Sequence, residues 1–584
     1  MCGIHAVIEL VKADDTGRQK NDIKNLSEDL LSRLSRRGPD HLGHVKVTTR
    51  PRDDGSEFRL QFTSSVLALR GDGINKQPFV DYSADTAAQR VLCWNGEVWR
   101  FDGNPVSTDG NDGRMLFKRL IATEDPLSVL RTIEGPFAFV FYDGPGGRLA
   151  YGRDRLGRRS LLQQTASDGR LTLTSVSDFS TDGNLLSVWE EVEADGVYVV
   201  DLHNQSQDSP WTVARHDWSD AFDSTSDDVV SGLGQFNLSS DSGDVGPLTA
   251  DSPSVLQLGN QLNASMRLRV LHVPRPPLIT ASDDKLCSTT DIRIAVLFSG
   301  GLDCTVLARI AHDLLPADQG IDLINVAFEN PRVKAHLERG IDVYEACPDR
   351  RTGRASFLEL QKTCPSRSWR FLAVNVPYTE FSAHRSTVVA LMHPHDTEMD
   401  LSIASALYFA ARGVSETGDT PARVLISGLG ADELFGGYGR HAVAFRVGAN
   451  EASSGADAPD KISVSLGYAA LARELYLDVT RLGRRNLGRD DRVLSHWGRE
   501  VRFPFLDEQL VRWAIALPVW AKCDFETAGG ENDDGVEPAK RVLRLLAQSL
   551  GLSGVAREKK RAIQFGARTA KMESGRIKGT ARVG

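Results

Sequence analysis

Ser299-Gly300-Gly301-Leu302-Asp303-Cys304 is the stretch that decides the fold of the second half of this 584-residue chain. It follows an apolar run rich in β-branched residues, 292–298, and precedes a helix-like pattern that begins at Thr305. A glycine pair between a buried strand and a helix start lets backbone N–H groups converge on a phosphate. Asp303 stands where a carboxylate can hold Mg²⁺ against that phosphate. The stretch therefore predicts a phosphate site; the alternative is an ordinary glycine turn.

A second glycine-rich motif, Ser427-Gly428-Leu429-Gly430-Ala431-Asp432-Glu433, also follows a short apolar run. Strand and helix patterns alternate from residue 292 onward, which predicts a doubly wound, parallel α/β sheet. Ligands bind beyond the carboxyl ends of the strands in such sheets, where the two motifs would meet. Asp432 would then add a second carboxylate to the phosphate site. The alternative is a flexible loop with two solvated acids.

Composition limits the classes of protein to consider. The length predicts two or three domains, and the net charge of −9 argues against a nucleic-acid binder. Seven scattered cysteines do not resemble a disulfide framework and suit a reducing compartment. The sequence has no run of eighteen apolar residues and no secretory signal, so we predict a cytoplasmic protein without a membrane partner.

Cys2 is the first candidate catalytic residue. Methionine is normally removed before a small residue, which would leave a thiol beside a free α-amine whose pKa is about 7.7–8.0. A nucleophile at the N-terminus can use its own amine as general base. The alternative for Cys2 is a free buried cysteine.

Further candidates follow along the first 205 residues. Leu67-Ala68-Leu69-Arg70 predicts a buried strand that ends in a guanidinium suited to a carboxylate. Asn95 and Gly96 offer an amide and an unobstructed N–H, the two donors that an oxyanion hole needs. Asp112 could hold an ammonium group. Taken singly, these residues also fit a surface salt bridge, a hairpin turn and a turn acid.

Together these segments resemble, in their order, the class II glutamine amidotransferase domain, over residues 1–205. The resemblance implies a four-layer αββα sandwich of the N-terminal nucleophile type, and it implies that Cys2 attacks the glutamine amide. The other implied roles are carboxylate binding by Arg70, an oxyanion hole of Asn95 and Gly96, and positioning of glutamine by Glu97 and Asp112. Residues 206–253 are rich in Ser, Asp and Gly and predict a disordered connector or surface insertion.

Residues 254–584 resemble the synthetase domain of asparagine synthetases through motifs at 299–303, 427–438 and 502–507. Segments 348–355, 485–492 and 564–566 bring the match closest to the asparagine synthetase domain-containing proteins. The resemblance implies an adenine nucleotide alpha hydrolase-like fold, Mg²⁺–pyrophosphate held by Asp303 and Asp432, and Lys560 (or Lys559) near the transferred group. The residues it implies for ATP binding are Leu297, Ser299, Gly300, Gly301, Ala327, Ser427 and Gly428.

Two positions depart from that family. Leu429 stands where asparagine synthetases carry an active-site Glu, and Ala404 follows Ile403 where Ile-Arg is usual. The leading hypothesis is a glutamine-hydrolysing asparagine synthetase whose small-molecule substrates are glutamine, aspartate and ATP. The alternatives are an amidotransferase with another carboxylate acceptor and a catalytically silent scaffold or regulator. The sequence leaves a homodimer open.

Overall fold

A computed structural model describes most of the chain. The described residues are 2–11, 26–71, 73–82, 88–107, 110–179, 188–203, 211–219, 228–241, 246–276, 291–451, 461–526, 535–572 and 578–583. The six cysteines within these ranges are all free thiols. None of the described helices is both long and apolar enough to cross a membrane.

The first half contains fifteen described strands and three helices. In chain order they are β1 (Gly3–Val11), α1 (Glu28–Arg37), β2 (His41–Thr48), β3 (Glu57–Val66), β4 (Phe79–Val80), β5 (Arg90–Gly96), β6 (Arg100–Phe101), β7 (Asn104–Pro105), α2 (Asp112–Ile121), α3 (Pro126–Arg131), β8 (Ile133–Glu134), β9 (Phe137–Asp143), β10 (Arg148–Arg153), β11 (Leu162–Thr165), β12 (Leu171–Thr174), β13 (Glu190–Glu191), β14 (Gly196–Asp201) and β15 (Val213–Asp217).

Two six-stranded antiparallel sheets pack face to face, as the αββα prediction requires. Their strand orders are β13-β11-β12-β1-β3-β2 and β15-β14-β10-β9-β5-β4. Side chains from both sheets, among them Ile4, Phe62 and Val140, fill one buried core. Helix α1 covers the first sheet and α2 covers the second. The four-layer sandwich of the N-terminal nucleophile type is confirmed.

One local prediction in this half is wrong. The strand predicted over Leu67 to Arg70 does not form: β3 ends at Val66, and residues 67–70 form a loop. The Ala68 N–H donates to Asp40 Oδ2 at 2.8 Å. A side-chain carboxylate therefore accepts the hydrogen bond that a backbone carbonyl of a neighbouring strand would accept in a sheet. The loop then lines the pocket that contains Cys2.

From residue 228 onward the chain forms seven strands and thirteen helices within the described residues. They are β16 (Val229–Val230), β17 (Gly234–Gln235), α4 (Pro253–Val270), β18 (Asp291–Leu297), α5 (Leu302–Leu314), β19 (Gln319–Phe328), α6 (Pro331–Lys334), α7 (Pro348–Thr363), β20 (Trp369–Val376), α8 (Tyr378–Met392), α9 (Glu398–Arg412), β21 (Val424–Ile426), α10 (Ala431–Phe435), α11 (Gly439–Glu451), α12 (Lys461–Leu482), α13 (Gly488–Ser495), β22 (Glu500–Arg502), α14 (Glu508–Ala516), α15 (Arg541–Ser549) and α16 (Ile563–Gly566).

A five-stranded sheet, all parallel, forms the centre of this half. Its order is β20-β19-β18-β21-β22, so the chain reverses its direction across the sheet between β18 and β21. The helices that follow these two strands, α5 and α10, carry Asp303 and Asp432 in their first turns. A switch point of this kind is where open α/β sheets bind ligands. The predicted doubly wound sheet of the adenine nucleotide alpha hydrolase-like type is confirmed.

Part of the predicted connector is buried, although its composition is polar. Residues 228–241 lie in its middle, and there Val230, Leu233 and Phe236 are buried. The Asn237 N–H donates to Ile515 O at 2.8 Å, which ties this segment to α14. Residues 220–227 and 242–245 lie outside the described residues. Residues 228–241 of the predicted connector are therefore packed against the second half.

Buried ion pairs join the two halves. Asp491 on α13 accepts hydrogen bonds from the Arg37 guanidinium at 2.7 Å and from the Ser160 N–H at 3.1 Å. Arg492 donates to Glu191 at 2.6 Å and to Ser160 Oγ at 2.8 Å. Because these guanidinium groups are fully buried, each depends on its partner for solvation. Segment 485–492 therefore holds the halves together.

Replacement of Asp491 by alanine tests this interface. The change leaves the buried Arg37 guanidinium without its carboxylate, so we expect the free energy of unfolding to fall by about 3–5 kcal/mol. Urea unfolding checks the value. The matched control is Asp168→Ala, which breaks an ion pair with Arg170 in which Asp168 is 54% exposed. It should cost less than about 1 kcal/mol, and equal effects of the two changes would contradict the prediction.

Candidate active sites

Cys2 and most of the predicted glutamine-binding residues surround one pocket of about 480 Å³. Cys2, Arg70, Gly96, Glu97 and Asp112 all line it. Burial raises the pKa of the Cys2 thiol, and the nearby Leu67 N–H opposes that rise only in part. The thiol therefore needs a base to become a nucleophile, which is the role expected of the α-amine.

Asn95 lies directly beside Cys2. Its Oδ1 accepts a hydrogen bond from the Cys2 N–H at 3.0 Å, which turns the amide toward the thiol. Its Nδ2 is fully buried and has no hydrogen-bond partner among the described residues. At Gly96 a Cβ would lie 2.5 Å from Pro136 O, so only glycine fits there. A buried N–H donor without a partner is what an oxyanion hole offers to its ligand.

Arg70 and Asp112 form a pair at the other end of the pocket. Arg70 Nη1 donates to Val98 O at 2.7 Å and lies 3.7 Å from Asp112 Oδ2. Asp112 begins α2, where the Asn111 side chain caps the helix, and its Oδ2 accepts from the Val98 N–H at 2.7 Å. Burial raises the pKa of Asp112, and Arg70 opposes this. One cation and one acid therefore lie side by side in the pocket, a pair complementary in charge to the two charged groups of an amino acid.

A second pocket, also of about 480 Å³, lies beyond the carboxyl end of β18. Ser299, Gly301, Asp303 and Lys560 line it. Gly300 has a left-handed φ of 82°, and a Cβ on it would lie 2.4 Å from Gly353 N. Segment 348–355 thus has a structural role, because Gly353 in α7 lets this helix pack closely against the loop that contains Gly300.

Lys540 joins the two predicted metal-binding acids. Its Nζ lies 2.7 and 2.9 Å from the Asp303 carboxylate oxygens and 2.9 Å from Asp432 Oδ1. Lys560 contacts the other oxygen of Asp432. Burial lowers the pKa of Lys540, but the two carboxylates outweigh burial and raise it overall. Burial likewise opposes ionisation of Asp432, but Lys540 and Lys560 hold its pKa below the ordinary value.

The remaining predicted nucleotide-binding residues lie at strand ends beside the pocket. Leu297 ends β18, and Ala327 is fully buried near the end of β19. Ser427 follows β21, and its N–H donates to Arg502 O at 3.0 Å. A Cβ on Gly428 would lie 2.8 Å from Asp303 Cβ, so the two motifs are in contact, as predicted.

The two acids fit a magnesium ion that is shared with substrate phosphates. Among the described residues, no cluster of three or more His, Cys, Asp or Glu side chains could enclose a metal ion. Asp303 and Asp432 supply two carboxylates, and Mg²⁺ usually binds one or two carboxylates together with phosphates and water. The donor set therefore suits a metal that arrives with its nucleotide.

Sequence reasoning missed three residues of these pockets. Gln77 Nε2 lies 3.8 Å from Cys2 Sγ, and its Oε1 accepts from the Trp94 N–H. Lys540 precedes α15 with a left-handed φ of 54°, a backbone state that sequence patterns do not reveal. Glu500 lines the Cys2 pocket although it comes from the second half. Glu500 and Arg502 are two residues apart on one strand, so their side chains share a face of the sheet. That spacing is the feature of the sequence that could have identified Glu500.

Asp349 packs against segment 564–566, the last of the three segments that distinguish the match. It lines the second pocket at the start of α7 and is 7% exposed. A Cβ on Gly566 would lie 2.0 Å from Asp349 Oδ1, so only glycine at position 566 leaves that carboxyl group in place. Burial raises the pKa of Asp349 from its ordinary 3.8 to about 7, although Arg561 and Lys560 oppose the rise.

Comparison with known proteins finds relatives that match this chain over nearly its full length. The Asparagine synthase family model matches residues 379–582. Asparagine synthetase domain-containing protein 1 of Bos taurus is 31% identical over 652 aligned residues, which cover 96% of this chain and 95% of that protein. Putative asparagine synthetase [glutamine-hydrolyzing] 1 of Methanocaldococcus jannaschii is 29% identical over 227 residues, 39% of this chain and 33% of that protein.

Among solved structures, a Bacillus subtilis glutamine phosphoribosylpyrophosphate amidotransferase complexed with ADP and GMP is 11% identical. The match covers 64% of this chain and 81% of that chain, but its TM-score of 0.25 is too low to carry an argument. The fold itself defines a chain with an N-terminal nucleophile sandwich and a nucleotide-hydrolase-like sheet. The chain belongs to the family of asparagine synthetase domain-containing proteins.

The raised pKa of Asp349 predicts a pH-dependent stability. Between pH 3.8 and about 7 the folded chain keeps a proton that the unfolded chain releases, so stability falls as pH rises through this window. Asp349→Asn removes the effect. The free energy of unfolding of this variant, relative to that of the wild type, should be larger at pH 8 than at pH 5 by about 3 kcal/mol. Urea unfolding at the two pH values checks this, and an unchanged difference would contradict it.

Proposed function

We propose that the protein is a glutamine-hydrolysing asparagine synthetase. The observation that carries the proposal is that one chain assembles both halves of this chemistry. Cys2 stands beside a buried amide donor in one pocket, and two carboxylates with two lysines meet in the other. We place the reaction in the cytoplasm, because free buried thiols suit a reducing compartment.

In the first pocket, Cys2 would attack the side-chain amide carbon of glutamine. The thiol proton passes to the α-amine exposed by removal of Met1, and the oxyanion that forms accepts a hydrogen bond from Asn95 Nδ2. The C–N bond then breaks, the α-amine returns the proton to the leaving ammonia, and a thioester remains. Water hydrolyses the thioester to glutamate. Arg70 would bind the substrate α-carboxylate, and Asp112 would lie near its α-ammonium.

In the second pocket, the side-chain carboxylate of aspartate would attack the α-phosphorus of ATP, and pyrophosphate would leave. Ammonia would then attack the acyl carbon of β-aspartyl-AMP, so that asparagine forms and AMP leaves. Lys540 and Lys560 are placed to neutralise charge that develops on the phosphates. Mg²⁺, when bound by Asp303 and Asp432, would supply further charge neutralisation.

Two positions favour another acceptor as the second candidate. Leu429 is half-buried against the apolar core and cannot orient an ammonium or accept a proton. Ala404, which follows Ile403 where Ile-Arg is usual, is completely buried. An amidotransferase that activates a different carboxylate would use both pockets in the same way and would differ only in the carboxylic acid substrate that replaces aspartate. A silent scaffold would bind ATP or glutamine without pyrophosphate release.

Pyrophosphate release from ATP and Mg²⁺ separates these functions. The assay supplies ammonium directly and compares reactions with and without aspartate. Aspartate-dependent release together with asparagine supports the synthetase. Release that needs another carboxylate supports the second candidate, and glutamine hydrolysis without any release indicates a silent synthetase half.

Replacement of the nucleophile should separate the two reactions. In Cys2→Ala no thiol remains to form the thioester, so glutamine-dependent asparagine formation should fall by at least about 10³-fold. Ammonium-dependent formation should stay within about twofold of the wild type, because the second pocket is untouched. Product analysis by mass spectrometry checks both rates. A parallel loss of both activities would rule out this division of labour.

Removal of the bridging lysine tests the second pocket. Lys540→Met leaves Asp303 and Asp432 without their shared cation, and ammonium-dependent pyrophosphate release should fall by about 10²-fold or more. Lys559→Met is the matched control, because Lys559 lines the same pocket with its side chain 80% exposed. It should change the rate by less than about threefold. Equal losses in the two variants would show that Lys540 acts only as one charge among several.

A further inference from the structure

The pocket around Cys2 is not built by the first half alone. Glu500, the first residue of β22, lines it together with Glu97 and Asp112. The Glu500 and Asp112 carboxylates are both close enough to oppose ionisation of the Cys2 thiol. A strand of the second half therefore forms part of the wall of the proposed glutamine site.

Arg502, at the other end of β22, connects Glu500 to Glu97. Its Nη2 lies 2.5 Å from Glu97 Oε1, and its Nε lies 2.8 Å from Glu500 Oε1. Arg502 Nη1 donates to Arg269 O at 2.5 Å, and its guanidinium lies 5.1 Å from the centre of the Trp99 ring. All three charged side chains are at most 4% exposed. The guanidinium is thus fixed on every side and fixes Glu97 in turn.

Two acids, Glu97 and Glu500, lie here beside the cations Arg502 and Arg70. Burial and the neighbouring Glu500 raise the pKa of Glu97, although Arg502 opposes this. Burial disfavours the charged form of Glu500 as well, but Arg502 and Arg159 outweigh it and lower its pKa. The raised pKa lets the Glu97 carboxyl group share its proton with Glu500 in a hydrogen bond, so Glu500 helps to hold it in place. An ammonium group placed here would be bound by acids from both halves.

We propose that Arg502 and Glu500 are positioning residues of the glutamine site, which hold the Glu97 carboxyl group in place for the α-ammonium of the bound amino acid. The inference rests on the proposed glutaminase function and deepens it, because it makes the second half part of the amino-acid site. A purely structural role for the two residues would affect the stability of the interface but not the choice of ligand.

Ligand discrimination tests the proposal without turnover. In a Cys2→Ala parent, calorimetry measures the dissociation constants of glutamine and of 4-carbamoylbutanoate, which keeps the carboxylate and the amide but lacks the ammonium. Glu500→Gln and Arg502→Lys are made in this parent. The matched control is Arg512→Lys, because Arg512 pairs across the same interface with Glu134 outside the pocket.

We expect Glu500→Gln and Arg502→Lys to weaken glutamine binding at least about tenfold, as loss of a charge-assisted hydrogen bond does. Binding of 4-carbamoylbutanoate should change less than about twofold, and Arg512→Lys should alter neither constant. Equal changes for both ligands, or no change, would overturn the inference while leaving the glutaminase function in place. A parent that binds no glutamine would instead overturn the proposed function, and the inference with it.

Discussion

Charged side chains buried between the two halves are the constraint on which the rest of the structure depends. Arg158 contacts Glu508 from the second half, and Arg100 lies 3.1 Å from Asp507. Removing such groups from water costs several kcal/mol for each ion, and only a well-placed partner offsets that cost. The halves therefore have essentially one way to fit together. The orientation of each pocket relative to the other follows from that fit.

Strand β22 contacts both pockets. Its Arg502 side chain reaches Glu97 beside Cys2, while the carbonyl of the same residue accepts from Ser427 in the nucleotide loop. A displacement of the strand would move both contacts together. In the proposed enzyme, the two reactions would thus share a rigid element that contacts each site directly.

The sequence predicted the architecture well because each half is decided by local patterns. Strand and helix periodicity gave the parallel sheet, and the glycine motifs marked the loops where Asp303 and Asp432 meet. What could not be predicted depends on long-range packing. Lys540 reaches the acids only because of its left-handed backbone, and no pattern marks such a residue. The sequence left the connector open between disorder and a surface insertion, because its three buried apolar side chains, Phe236 among them, are surrounded by polar residues.

Arg37 and Arg159 emerge from the ribosome long before their carboxylate partners do. Ser160 and Asp491, which are hydrogen-bonded in the finished protein, are separated by 331 positions. At about 5–20 residues per second, the first half waits roughly 15 to 65 seconds before that partner is even synthesised. Its guanidinium groups must stay hydrated in the meantime. Docking of the first half onto the second is thus a late event in biosynthesis, and a nascent chain that stops before α13 lacks the Asp491 partner that this docking uses.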